Sequence, residues 1–210
     1  MKNYDKTISE SMFEEFCIQK DINIKKIETG KNKTPDYWLE LEGDSVICEV
    51  KELTTNKDYE KFKKNAVFTL NLPPGKDKIH KLLIKATDQI KEYKRKNNLA
   101  DVPSLVVLYN KSAPFVDMSD FVINLSLSDF STISAVGILV ITSQKDKYLD
   151  TYFKYDPQKS IEETIEKSLS LLYYCSDARL LSLKLIINQR ARCPFPKVFQ
   201  NIFNSEVIYS

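Results

Sequence analysis

The sequence predicts an α/β domain in which helices flank a mixed central β-sheet. Two observations predict it: segments with the two-residue period of strands, and segments between them with apolar residues at helical spacing. The 210 residues are 42% hydrophobic and 29% charged, which is a globular balance. We therefore predict one domain over residues 1–210, with its core in residues 9–142 and an unassigned extension, 143–210, packed on the same domain.

The first predicted helix runs from Ser9 to Lys20, because apolar residues recur there at three- and four-residue spacing. After a polar loop, YWLEL, the turn EGD and SVICEVK predict a β-hairpin. Residues 54–78 lack a clear period and predict a loop or a partly helical insertion. A long helix with an apolar stripe follows over 79–93.

The remaining chain predicts further strands and one more helix. Ser160 and Glu163 have the spacing of a capping box, which predicts a helix that begins there. The strands are expected at four apolar segments: 105–109, 121–127, 135–142 and 180–187. The proline-containing tail at 193–203 has no clear prediction.

Composition predicts a cytoplasmic protein without a membrane segment. The longest apolar run, AVGILVI, is far shorter than the roughly 20 residues that span a bilayer. The N-terminal residues include carboxylates where a secretory signal would need an apolar core. The four cysteines have no CxxC spacing, so we expect reduced thiols rather than a zinc site or a disulfide framework.

The chemistry is concentrated in the hairpin. Strand alternation in SVICEVK places Glu49 and Lys51 on one face and wholly apolar side chains on the other. Asp36 begins the preceding strand, so the hairpin brings its carboxylate near that of Glu49. Two adjacent carboxylates repel unless a cation joins them, and hard oxygen ligands suit Mg²⁺ or Mn²⁺. Lys51 could then orient or activate a metal-bound water and offset charge in phosphodiester hydrolysis.

With Pro35, Asp36, Glu49, Val50 and Lys51 in a hairpin, the chain resembles the PD-(D/E)xK nuclease superfamily, whose fold is called restriction-endonuclease-like. The resemblance covers about residues 9–110. It implies that Asp36, Glu49 and the backbone carbonyl of Val50 bind the metal, and that Lys51 is the catalytic lysine.

Two further features extend the resemblance. Members of the family commonly add a glutamate from the first helix, and rotation by about 100° per residue places Glu10 at the border of the apolar face, Glu14 second and Glu15 pointing away. We therefore predict Glu10 as an additional catalytic and metal-binding carboxylate. Gln89 and Tyr93 are spaced like the QxxxY motif of RecB-type members, and Gln89 interrupts an apolar stripe, which calls for a polar partner.

Charge is distributed unevenly along the chain, although the net charge is only +2. Residues 56–98 carry 12 Lys and Arg against 5 Asp and Glu, residues 179–210 carry 5 against 1, and residues 1–55 carry 8 against 12. Basic zones beside an acidic site suit a nucleic-acid cleft, whereas lysines that only keep the surface soluble are the alternative. The predicted nucleic-acid contacts are Lys81, Lys85, Gln89, Tyr93 and Lys94.

Together these features predict an enzyme, a divalent-metal-dependent deoxyribonuclease that acts in restriction, defence or repair. The alternatives are an RNA nuclease with the same site and a catalytically inactive nuclease-fold subunit that binds nucleic acid or serves as a scaffold. DNA is the predicted partner, and the sequence leaves open a homodimer, a partner subunit, the sequence preference, and cleavage within a strand or from its end.

Overall fold

The structure, a computed structural model, describes residues 6–28, 34–53, 75–110, 122, 125, 130–143, 179–203 and 208–209. The elements with described bounds are, in chain order, α1 (Ile8–Gln19), β1 (Asn23–Lys26), β2 (Tyr37–Leu41), β3 (Asp44–Leu53), α2 (Gly75–Asn97), β4 (Ser104–Asn110), β5 (Ala135–Ser143), β6 (Arg179–Ile187), α3 (Lys197–Phe203) and β7 (Ile208–Tyr209).

The described strands form one mixed sheet in the order β1-β2-β3-β4-β5-β6-β7. The pairs β1–β2 and β2–β3 are antiparallel, whereas β3–β4, β4–β5 and β6–β7 are parallel pairs. The strands β4 and β5 are apolar on both faces, as helix-covered parallel strands are. The predicted α/β fold with a mixed sheet is confirmed.

The hairpin formed by β2 and β3 is confirmed, and it fixes the register of the candidate site. Its turn contains Glu42 at φ 49° and Gly43 at φ 90°, and two successive left-handed residues match the right-handed twist of the flanking strands. From this turn the pairing runs through Trp38 opposite Ile47 to Tyr37 opposite Cys48. Asp36 therefore lies at the far end of the hairpin, beside Glu49.

Helices pack on both faces of the sheet. The Phe13 ring of α1 lies 6.0 Å from the Tyr37 ring, on the face that Tyr37 shares with its cross-strand partner Cys48. Gln89 of α2 contacts Lys51 on the opposite face. The two faces of β3 thus pack against different helices, and the helix bounds agree with the predicted Ser9–Lys20 and 79–93 to within a few residues.

Several predicted elements change or lie outside the described residues. Val122 and Leu125, the two described residues of the segment 121–127, are helical, so the strand prediction is wrong at these positions. The helix predicted from Ser160 and most of the segment 54–78 lie outside the described residues. The helix α3 had no prediction, and it packs through Phe203, whose ring lies 5.6 Å from that of Phe16 in α1.

The chain divides into two compact units. The first comprises Met1–Leu139 and Leu183–Ser210, and it contains every residue of the candidate site. The second is Val140–Ser182, of which the structure describes the end of β5 and the start of β6. The predicted single domain stays a prediction. Among the described residues, no helix combines the length and apolar character needed to cross a membrane.

Candidate active site

Asp36 is held at the end of the hairpin by its backbone and its side chain. Its N–H donates to the carbonyl of Cys48 at 3.1 Å, and its carboxylate oxygen Oδ2 accepts from the N–H of Val50 at 2.8 Å. Burial raises the pKa of the Asp36 carboxyl, and the Val50 N–H and the Lys51 charge only partly offset this effect. The carboxylate is therefore fixed in position and poorly solvated.

Glu49 is fully buried on β3. Burial first, and then the neighbouring Asp36 carboxylate, raises the pKa of Glu49 to about 7, against the opposing effect of Lys51. One oxygen, Oε1, accepts a hydrogen bond from Lys51. Among the described residues the other oxygen, Oε2, has no hydrogen-bond partner. A buried carboxylate oxygen without a partner is costly, and a cation would remove that cost.

Lys51 links β3 to the helix α2, which packs on the sheet face that carries Glu49. Its ammonium contacts Glu49 and donates to Oε1 of Gln89 at 2.9 Å. The amide nitrogen of Gln89 in turn donates to the carbonyl of Thr34 at 3.3 Å. Gln89 thus has polar partners, and it joins Lys51 to the segment that leads into Asp36. This bridge holds the ammonium beside the two carboxylates.

The carboxylates of α1 lie on the opposite face of the sheet and already have partners. Glu10 accepts from Lys26 at 2.8 Å and closes a capping box with Thr7. Burial acts to raise the pKa of Glu10, but these hydrogen bonds outweigh it and lower the pKa. Glu14 accepts from the Tyr37 hydroxyl at 2.8 Å, and Glu15 is exposed, as its predicted direction requires.

Glu10 is the carboxylate of α1 whose charge affects the pKa of Asp36. Its charge contributes to raising the pKa of Asp36. The ranking of Glu10 above Glu14 as the third carboxylate stays a prediction. Direct binding of a metal by Glu10 stays a prediction, because its two oxygens are engaged by Lys26 and Thr7.

The predicted nucleic-acid contacts on α2 differ in their surroundings. Lys81 and Lys85 are exposed, and they precede Gln89 at intervals of four residues, so the three side chains lie along one flank of the helix. Gln89 belongs to the site itself. Tyr93 is half-buried one turn beyond Gln89.

Lys94 corrects one of our expectations. We predicted an ammonium available to phosphate, but the residue is only 7% exposed, and burial lowers its pKa. The reason is helical spacing: Lys94 follows Ile90 by four residues, and so it continues the buried stripe through Leu83 and Ala86. Lys94 therefore lies on the packed side of α2.

The oxygen donors near Asp36 fit a small divalent cation. They are the Asp36 carboxylate, Oε2 of Glu49 and the backbone carbonyl of Val50. The Val50 carbonyl points to the same side of β3 as the Val50 N–H, which donates to Asp36. Within the described ranges, no three His, Cys, Asp or Glu side chains are grouped closely enough to hold a metal by themselves. Mg²⁺ needs no such group, because it commonly binds through one or two carboxylates and keeps several waters.

Sequence reasoning missed two participants. Lys26 contacts Glu10 and lies over the Tyr37 ring, but its segment NIKK shows only an ordinary polar strand. Thr34 contributes a carbonyl from a loop that has no periodicity. In the comparisons, no protein-family model, curated protein or solved structure matches this chain.

Proposed function

We propose that this protein is a divalent-metal-dependent nuclease that hydrolyses phosphodiester bonds in DNA, with a restriction-endonuclease-like fold. The observation that carries the proposal is the convergence of Asp36, Glu49 and Lys51 at one end of the hairpin. Glu49 Oε2 is buried there without a partner among the described residues, and an ammonium lies beside it. A cation and a phosphate group would together satisfy this set of charges.

Each residue has a distinct task in this proposal. Asp36 and Glu49 supply the carboxylate oxygens for Mg²⁺ or Mn²⁺, and Val50 adds its carbonyl. When bound, the ion would lower the pKa of a water ligand and stabilise charge on a phosphoryl oxygen. Lys51, held by Gln89, orients the attacking water and offsets the negative charge that develops as water adds to phosphorus and an ester P–O bond breaks.

The exposed flank of α2 supports a polyanionic substrate. Lys81 and Lys85 are exposed and aligned with Gln89, which reaches Lys51 at the site. A duplex or single strand lying along this flank would meet two cations before it reached the carboxylates. Phosphate contacts of this kind supply affinity without sequence preference.

The test is cleavage of labelled linear, circular and single-stranded DNA and of RNA, with Mg²⁺, with Mn²⁺ and with EDTA. We expect metal-dependent DNA cleavage that EDTA abolishes. Replacement of Asp36, Glu49 or Lys51 by Ala should each lower the rate by about a hundredfold or more while the circular dichroism spectrum is retained. The matched control is Asp44→Ala, a carboxylate that is exposed at the other end of β3.

Two other results would redirect the assignment. Cleavage of RNA alone would favour an RNA nuclease with the same residues. Binding of nucleic acid without cleavage under any metal condition would favour an inactive binding or scaffold subunit. Full activity in all three site variants would exclude these residues as the catalytic set.

A further inference from the structure

The hydroxyl of Thr34 is a polar group that the proposed chemistry does not use. Thr34 as a residue is half-buried, but its Oγ1 atom is buried and has no hydrogen-bond partner among the described residues. A buried hydroxyl without a partner costs free energy, and folded proteins retain few of them. Oε2 of Glu49 is in the same condition. Both oxygens therefore call for a ligand.

The register of the hairpin places Thr34 beside the site. The pairing sets Tyr37 opposite Cys48, and three further positions along both strands bring Thr34 level with Lys51. Pro35 favours this course, because the residue before a proline is restricted to extended backbone. Thr34 therefore continues the line of β2 past the end of its ladder and toward the catalytic lysine of the proposal.

Gln89 fastens the same two residues from α2. Its amide nitrogen donates to the carbonyl of Thr34 at 3.3 Å, and its amide oxygen accepts from Lys51 at 2.9 Å. Lys51 also donates to Oε1 of Glu49, so these contacts use two of its three N–H groups. Within the described part of the chain, the third N–H and the Thr34 hydroxyl are the donors that this bridge leaves for a ligand.

We propose that Thr34 is a substrate-binding residue of the site, whose hydroxyl donates a hydrogen bond to a non-bridging oxygen of the phosphodiester group. The inference rests on the proposed function, because it requires the phosphodiester to lie at Asp36, Glu49 and Lys51. A non-bridging phosphoryl oxygen only accepts hydrogen bonds, so it suits an ammonium and a hydroxyl that lie together. A step between staggered χ1 positions is the movement that would turn the half-buried Thr34 toward this ligand.

Two variants separate the hydroxyl from the shape of the Thr34 side chain. Thr34→Val keeps the branched shape and removes the hydroxyl, whereas Thr34→Ser keeps the hydroxyl and loses a methyl group. Thr87→Val is the matched control. Thr87 is also half-buried and lies on α2 two residues before Gln89, but its hydroxyl already donates to the carbonyl of Leu83 at 2.7 Å.

The first measurements use the full chain without nucleic acid. A hydroxyl that has no partner in the fold adds nothing to stability, so we expect Thr34→Val to leave the midpoint of thermal unfolding unchanged or to raise it. Titration calorimetry should show unchanged Mn²⁺ affinity, because the hydroxyl serves the phosphodiester and not the ion. A lower midpoint would reveal a structural partner, and weaker Mn²⁺ binding would assign the hydroxyl to the ion. Either result would overturn the inference.

The second measurement is cleavage of labelled duplex DNA with Mg²⁺. We expect Thr34→Val to lower kcat/KM by about fivefold to tenfold, the worth of one hydrogen bond. Thr34→Ser should retain most of the activity, and Thr87→Val should be unchanged. Wild-type kcat/KM in Thr34→Val, or an equal loss in Thr34→Ser, would overturn the inference.

These outcomes are distinguishable from failure of the proposed function. If Thr34→Val cleaves like the wild type but Glu49→Ala does not cleave, the inference fails and the proposed function stands. A wild-type chain that cleaves no nucleic acid would overturn both.

Discussion

Glu49 is the residue on which the proposed chemistry most depends. Its carboxyl is fully buried, it lies beside a second carboxylate, and its pKa is about 7. Near neutral pH it therefore exchanges readily between a protonated state and an ionised state. A ligand that binds only the ionised state draws this equilibrium toward the carboxylate, and binding then releases a proton.

We accordingly predict that Mn²⁺ binds more tightly as the pH rises through about 7, the pKa of Glu49. Titration calorimetry at about pH 6 and about pH 8 measures the change directly, since protonated Glu49 must lose its proton to bind the ion. In Glu49→Gln the residual affinity should be weak and nearly independent of pH. An affinity of the wild-type chain that did not change across this interval would contradict a role for Glu49 as a ligand.

A second prediction concerns Gln89, which touches Lys51 and the Thr34 carbonyl. We expect Gln89→Leu to lower kcat by about tenfold and leave KM nearly unchanged, because the lysine loses the group that orients it. Glu92→Gln is a suitable control, since Glu92 is exposed on the same helix and pairs with Lys96. An unchanged kcat in Gln89→Leu would show that Lys51 is held by Glu49 alone.

For single residues, the sequence predicts which side chains share one strand face better than it predicts their contacts with residues far away in the chain. Asp36, Glu49 and Lys51 could be placed together because a hairpin has local geometry. Gln89 signalled its need for a partner by interrupting an apolar stripe, but nothing local identified Lys51, which is 38 residues away. Contacts of this kind depend on how a crossover connection packs a helix on the sheet.

Among the elements, α2 has two flanks with different chemistry. Gln89 lies on one side of the buried stripe, with the exposed Lys81 and Lys85 along the same flank. Lys91 and Arg95 are exposed on the other side of the stripe, two and six residues after Gln89. The helix thus offers two pairs of cations of equal charge, only one of which points toward the site.

We predict that Lys81→Gln with Lys85→Gln weakens DNA binding and lowers the slope of log affinity against log salt by about two, because each phosphate contact releases a counterion. The pair Lys91→Gln with Arg95→Gln should leave that slope nearly unchanged. Fluorescence anisotropy with a labelled duplex over a range of salt concentrations measures both slopes. Equal losses in the two double variants would show that charge alone, and not this flank, determines binding.

Lys94 gives a prediction of the opposite kind. Its pKa is lowered by burial, so the charged form disfavours folding at any pH below that pKa. Lys94→Met keeps a similar side-chain length without the charge, and we expect it to raise the unfolding free energy by about 1 kcal/mol. It should leave the salt dependence of DNA binding unchanged. A reduced slope in this variant would mean that the ammonium reaches phosphate after all.

The elements also show where sequence patterns were sufficient and where they were not. The turn EGD and clear alternation made the hairpin predictable. The helix α3 was missed because Pro194 and Pro196 suggested irregular chain. Its signal was nevertheless present, since Phe195, Phe199 and Phe203 recur every four residues and form a ring cluster in the structure. Proline just before a helix is favourable, so Pro196 marks a start rather than a break.

For the whole molecule, the raised pKa of Glu49 links folding to pH. Because the folded-state pKa lies above the ordinary value of 4.5, the stabilising contribution is complete below that ordinary value and is lost as the pH rises toward about 7. Glu10 acts in the reverse sense because its pKa is lowered. Its stabilising contribution is present at pH values above the ordinary pKa of a glutamate and is lost as the pH falls into the acid range. The two residues therefore favour a stability maximum at mildly acidic pH.

We predict that the unfolding free energy of the metal-free chain falls as the pH rises from about 5 to about 7, across the interval that the Glu49 shift defines. Glu49→Gln should flatten this part of the curve. Urea unfolding followed by circular dichroism at several pH values measures it. A wild-type curve that rises steadily over the interval would show that Glu49 is not the group that controls it.

Trp38 is the single tryptophan of the chain, and it lies on β2 two residues from Asp36. It pairs with Ile47, so its indole ring shares the sheet face that carries Glu49 and Lys51. The hairpin therefore places a natural fluorophore on the sheet face that carries the proposed metal position. Emission from this one ring should be quenched by paramagnetic Mn²⁺ and not by Mg²⁺, so occupancy can be followed in the unlabelled protein within milliseconds of mixing.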